Sequence, residues 1–155
     1  MKIKGLISLS FLFLFLLFSC RKKDRIEREQ INGFVIEKHF INDTITNSRS
    51  INQKTNTLEY DFTYNKKGNI IKLVEYYKSG KVKTISTLDQ EPYYYLDVGY
   101  YSDGKLEHEG SISYIKQKKY RISWWIFYNK NGTVNSMVEF DNDGKGNEWV
   151  VQKKL

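Results

Sequence analysis

Apolar side chains recur at every second position over most of the chain. From residue 58 onward the even positions carry Leu58, Tyr60, Phe62, Tyr64, Ile70, Val74, Tyr76 and Val82, then Leu88, Tyr94, Leu96, Val98, Tyr100 and Leu106. The run continues through Ile112, Tyr114, Tyr120, Ile122, Trp124, Ile126, Tyr128, Val134, Val138 and Phe140. The odd positions of the same stretches include Glu59, Asp61, Lys81, Lys83, Glu107, Glu109, Ser111, Ser113 and Arg121. A period of two is the signature of strands with one apolar and one wet face.

The strands are punctuated by a repeated mark. In Tyr64 to Ile70, Tyr76 to Val82, Tyr100 to Leu106 and Tyr128 to Val134, an aromatic stands four residues before a glycine and an aliphatic two after it; Phe140 to Gly146 keeps only the first half. Glycine at the third position of a three-residue hairpin loop supplies the left-handed residue that such a loop needs. The loops expected are therefore 66–68, 78–80, 102–104 and 130–132, with turns that have lost their glycine at Gln90-Glu91-Pro92 and Lys116-Gln117-Lys118. Each loop sets an aromatic opposite an aliphatic: Tyr64 with Ile70, Tyr76 with Val82, Tyr100 with Leu106 and Tyr128 with Val134. Odd-length loops conserve parity, so all even side chains are expected on one face, with Gly110 beneath Trp124 and Trp125 opposite Met137. The fold class predicted is all-β, an antiparallel β-meander of hairpin repeats with about seven to nine strands. Residues 33–42, apolar on both parities, read as a first strand, and the Asn/Thr/Ser-rich stretch 42–57 reads as a loop.

The amino terminus has a different pattern. Lys2 and Lys4 precede an apolar and serine run from Leu6 to Phe18, which closes on Leu17-Phe18-Ser19-Cys20. A basic end, a greasy middle and a small residue at the cut describe a signal peptide, and the run is shorter than the roughly 18 to 20 residues of a spanning helix. The closing residues resemble the bacterial lipoprotein signal, which implies a lipid on Cys20 followed by cleavage. Cys20 is the single cysteine in the chain, so it has no disulfide partner within the chain. The organisation expected is a signal peptide over 1–19, a lipidated basic tether over 20–30 and a β-repeat domain over 31–155. Localisation follows as the cell envelope, as a membrane-anchored lipoprotein, in the outer membrane if the cell is Gram-negative.

Composition supports strands, with twelve tyrosines, nine phenylalanines, three tryptophans and one proline. The formal net charge of +7 falls on cleavage, which removes Lys2 and Lys4 and leaves 23 basic against 18 acidic side chains. Arg21, Lys22 and Lys23 follow the lipid site directly and suit anionic headgroups, so the membrane rather than nucleic acid is the expected charged partner.

Trp125-Ile-Phe-Tyr128-Asn-Lys-Asn-Gly132, with the Tyr-to-Gly halves at Tyr76 to Val82 and Tyr100 to Leu106, resembles the MORN-repeat variant of bacterial antitoxin-component proteins over about residues 58 to 150. Ser123 and Trp124 stand where that family usually has a glycine before the tryptophan. The Tyr-Asn-x-x-Gly and Phe-Asp-x-x-Gly segments also resemble the YD repeats of large secreted shell proteins. Both resemblances imply hairpin sheets used as scaffolds or binding surfaces. The antitoxin label also implies a rival role, an immunity-like protein that neutralises a toxin by direct contact.

Motifs with catalytic mechanics are absent: there is no Cys cluster, no HExxH, no GxSxG and no phosphate-cradling glycine run before a helix. Glu107 and Glu109 flank His108 on a strand and so point away from it, which excludes one shared metal site. His108 itself is expected as a partly buried structural residue. No catalytic residue, metal or cofactor is expected. The candidates for binding are the aromatics that break the polar parity: Tyr77, Tyr93, Tyr95, Tyr101 and Trp125, accompanied by Phe127 and Met137. Two explanations stand for them, burial beneath another segment or an exposed platform for a protein or glycan partner.

Overall fold

The computed structural model describes residues 23–90, 94–115, 118–141 and 148–153. The signal peptide and Cys20, Tyr93 and the glycines Gly144 and Gly146 lie outside the described residues. The strands are β1 (Asp24–Ile31), β2 (Phe34–Ile41), β3 (Thr44–Asn52), β4 (Thr57–Tyr64), β5 (Ile70–Tyr76) and β6 (Val82–Gln90), then β7 (Tyr94–Tyr100), β8 (Leu106–Ile115), β9 (Lys118–Tyr128), β10 (Val134–Phe140) and β11 (Glu148–Lys153). They form one antiparallel sheet whose spatial order is the chain order. Among the described residues each strand pairs only with its neighbours in sequence, so the meander is a single layer.

All four glycine-marked hairpins close as their sequence demands. Tyr64 pairs with Ile70, Tyr76 with Val82, Tyr100 with Leu106 and Tyr128 with Val134. In the loop after β5, Gly80 N donates to Tyr77 O at 2.8 Å and Tyr77 N to Lys81 O at 2.8 Å, with Gly80 at φ 80°. A side chain is poorly tolerated at that φ, which is why glycine holds the position.

The sheet has eleven strands rather than seven to nine because two segments read as irregular are strands. Residues 24–31, expected as part of a tether, are β1. Asn32 and Gly33 both take positive φ, 50° and 85°, the geometry of the two-residue hairpin turn that an Asn-Gly pair favours. Arg28 Nε then reaches Glu37 Oε1 of β2 at 2.7 Å. Residues 44–52, expected as loop, are β3. Its polar side chains are held by neighbours, as where Ser48 Oγ and Tyr64 OH meet at 2.8 Å, so context overrides a weak local preference.

The expectation that even positions share one face is corrected by a bulge placed identically in each repeat. One step in from the loop the pairs become Thr63 with Lys72, Glu75 with Thr84, Gly99 with His108 and Phe127 with Ser136. Ile71, Lys83, Glu107 and Asn135, each three residues after its glycine, are the extra residues. An added residue reverses the parity of everything beyond it. The core face is consequently even on β4, β6, β8 and β10 and odd on β5, β7 and β9, along the row Phe62, Leu73, Ser86, Asp97, Gly110, Trp125 and Val138.

Near its carboxyl-terminal end the sheet buries Tyr95, Ile112, Trp125, Val138 and Phe140 as one cluster. Trp125, 1% exposed, stacks on Phe127 at 5.9 Å, meets Phe140 edge-on at 6.2 Å and carries the Arg121 guanidinium 4.7 Å from its ring. Its partners across the sheet are Gly110 and Val138, so neither expected pairing, Trp124 over Gly110 or Trp125 opposite Met137, is found. The cause lies in β9. Ser123 takes φ 57°, and residues 123 and 124 are skipped between the pairs Gly110 with Trp125 and Ser111 with Ile122.

Candidate functional site

The core face opens into a pocket of about 400 Å³ where β4 to β8 run side by side. Phe62 and Tyr64 come from β4, Ile70 and Leu73 from β5, Tyr95 from β7 and Tyr114 from β8, with Ser86 of β6 as a polar wall. Alternation puts Phe62 and Tyr64 on one side of β4, and the bulge at Ile71 brings Leu73 level with Phe62. Tyr95 is fixed twice over: its hydroxyl donates to Ile70 O at 3.0 Å, and its ring meets Tyr114 edge-on at 5.5 Å and 87°.

Next to the pocket lies a buried carboxylate. Asp97, 1% exposed, accepts the Ser86 hydroxyl on Oδ1 and Lys119 Nζ on both oxygens at 3.1 Å. His108 Nε2 stands 3.6 Å from Oδ2, while the imidazole lies over Gly99, where a β-carbon would come within 2.1 Å of its Cε1. Burial by itself pushes the Asp97 carboxyl up. The polar partners His108, Ser86 and Lys119 outweigh it and hold the group below its ordinary value. Tyr114 responds in the opposite sense: burial, with the Asp97 charge and Tyr95 nearby, pushes its hydroxyl up to about 12.

The order of this network limits its chemistry. Nucleophilic activation of a serine needs hydroxyl, imidazole and carboxylate in that sequence, so that the imidazole takes the proton. Here Ser86 and His108 both turn to the same carboxylate. Among the described residues no group of three or more His, Cys, Asp or Glu side chains is placed to hold a metal ion.

Of the aromatics expected to bind, Tyr93 lies outside the described residues, and the described four do not assemble into an exposed platform. Tyr95, 7% exposed, and Trp125 belong to the core, because β7 and β9 are the strands whose odd positions face inward. Tyr77 and Tyr101 are half-buried and directly follow β5 and β7, at the same end of these two strands. Each donates its hydroxyl to the chain two strands away, Tyr77 to Tyr100 O at 2.7 Å and Tyr101 to Tyr128 O at 2.6 Å. The large apolar side chains that are exposed in this region are Tyr94, Leu96 and Trp124, the last at 44%. All three stand at even positions, which the period of two places on the apolar face.

Phe62, Ser86, Asp97, Tyr114 and Lys119 were not singled out as site residues by the sequence. One signal was available: Tyr95, Asp97 and Gly99 share one parity on a short strand, and two bulky rings, Trp125 and His108, need the glycines opposite them. No protein-family model matches the sequence, and no curated protein matches it at a significant level.

Proposed function

We propose that this chain is a lipid-anchored binding module of the bacterial cell envelope, non-catalytic and built of MORN-variant hairpin repeats, which takes an apolar group of a protein or glycan partner into the pocket on its core face. The pocket's aromatic and aliphatic lining carries the reading. Sites for small organic groups are concave and mainly apolar, with a few polar groups, and here Asn69, Ser86, Tyr64 and Tyr114 supply the polar part of the lining. Asp97 supports binding over catalysis, because its oxygens are occupied by Ser86 and Lys119. The lipid on Cys20 places the module at a membrane, and the basic residues after it favour an anionic surface.

The test uses the fluorescent apolar probe anilinonaphthalene sulfonate on the folded chain and on Leu73→Trp, which fills the pocket from β5. Saturable binding by the native chain, lost in the filled variant at unchanged far-ultraviolet circular dichroism, supports the reading. Equal binding by both proteins removes the pocket as the site.

A further inference from the structure

Among the described residues one edge of the sheet is β1, whose eight residues are all exposed. Its free side carries a definite set of backbone groups. The two-residue turn at Asn32-Gly33 makes Ile31 and Phe34 a hydrogen-bonded pair, and the β1–β2 register runs without a shift, so the odd residues of β1 bond to β2. Asn42 N donating to Lys23 O at 2.9 Å keeps the same phase at the far end. The N–H and C=O groups of Asp24, Ile26, Arg28 and Gln30 therefore point away from the sheet.

Charged side chains on an edge ordinarily discourage pairing, and a run of one sign would do so here. The signs along β1 instead invert about Ile26, so that residues equidistant from it carry opposite charges. Laid antiparallel against a second β1 with Ile26 opposite Ile26, Arg25 faces Glu27, Asp24 faces Arg28 and Lys23 faces Glu29, each twice by symmetry. This register also satisfies the hydrogen-bond phase, because it sets even residues opposite even residues. The neighbouring registers of the same phase fail: one sets Glu27 against Glu27 and Ile26 against Arg28, the other Arg25 against Arg25. Like charges directly opposite destabilise a strand pair.

The side chains are already held in position. Arg28 reaches Glu37 at 2.7 Å, Arg25 lies 3.4 Å from Glu27 and 3.8 Å from Asp43, and its guanidinium sits 4.6 Å over the Phe40 ring. Ile26, the residue on the would-be two-fold axis, is 62% exposed. A two-fold perpendicular to the sheet keeps both core faces on the same side, so Arg25 and Glu27 meet on that face in both copies.

We propose that β1 is a homodimerisation edge, at which two copies of this chain pair antiparallel about Ile26 into one continuous sheet. The interface is a single strand pair, so the dimer is concentration-dependent, and its ionic component weakens as salt rises.

Native mass spectrometry of the full chain released from detergent, with sedimentation in the same detergent, tests this. The native chain should show a dimer that dissociates on dilution. Glu27→Arg sets arginine against arginine twice and should leave monomer. The swap R25E/E27R restores opposite charges across the two-fold, retains a pair within the strand, and should restore the dimer. Ile26→Pro removes only an outward N–H, a substitution that an edge strand accommodates, and should give a folded monomer by circular dichroism. A native chain that is monomeric throughout overturns the proposal, as does a dimer unchanged in Glu27→Arg and Ile26→Pro. Open-ended oligomers would also overturn it, because they mean that β1 pairs with a different edge.

Discussion

The indole of Trp125 lies flat against the backbone of Gly110, so close that a β-carbon on that glycine would stand 2.4 Å from Cδ2 of the ring. The indole Nε1 donates to the neighbouring Ser111 O at 2.9 Å, which fixes the ring in place. Gly110→Ala therefore cannot be relieved by a simple rotation. It should lower stability by about 1–3 kcal/mol, the usual cost of overpacking, as read by urea denaturation with an unchanged m-value.

The two adjacent tryptophans should separate cleanly. Trp125→Ala empties the core cluster and should cost about 3–5 kcal/mol, whereas Trp124→Ala, at a 44% exposed site, should move the midpoint little. Equal losses in the two variants would contradict the β9 bulge.

Stability should fall at both ends of the pH scale, for different reasons. Asp97 is held below its ordinary value in the folded chain, so the unfolded chain takes up the proton first. Its contribution is complete above the ordinary carboxylate pKa of about 4 and is lost as pH drops through the lower folded value. Asp97→Asn should flatten this acid limb and lower stability at neutral pH. Tyr114 has the opposite sign. Raised to about 12, it keeps its proton while the unfolded chain loses it, so stability is full below pH 10 and declines between pH 10 and about 12. Tyr114→Phe should shallow the alkaline limb in pH-dependent thermal melts.

Tyr77→Phe and Tyr101→Phe each remove one hydroxyl-to-carbonyl bond that spans two strands. Each should cost about 1 kcal/mol, and the pair should be close to additive because the two bonds share no atoms. Strict additivity of the melting shifts checks this.

Cys20→Ser should abolish incorporation of labelled fatty acid and leave uncleaved precursor in the membrane fraction. A normally processed mutant that stays membrane-bound would rule out the lipoprotein assignment.

The hairpins were legible because their determinants are local: each glycine dictates its loop, and the loop dictates the first cross-strand pair. The faces were not, because the bulge at Ile71, Lys83, Glu107 and Asn135 has no fixed residue type and yet inverts every side chain beyond it. Trp125 and Tyr95 were thus assigned to the wet side, and Tyr94 and Trp124 to the dry one. β1 and β3 are not legible in the sequence for another reason. Their polar side chains carry no apolar alternation, and their pairing is set by neighbours such as Glu37 and Tyr64. The pocket inherits the first difficulty, since its lining mixes even and odd positions from five strands.

Because every strand pairs only with the strands before and after it in the chain, and side chains such as Tyr95 and Lys119 reach no further than the next strand but one, the described fold contains no pairing that must wait for a distant segment to arrive. Contact order is low for an all-β protein, and each new hairpin closes a loop of a few residues onto an edge already formed. Such a sheet can grow in one direction, strand by strand, as the polypeptide is delivered from one end. It should also come apart by peeling from its termini, so truncation from the carboxyl end would shorten the sheet in steps rather than abolish it.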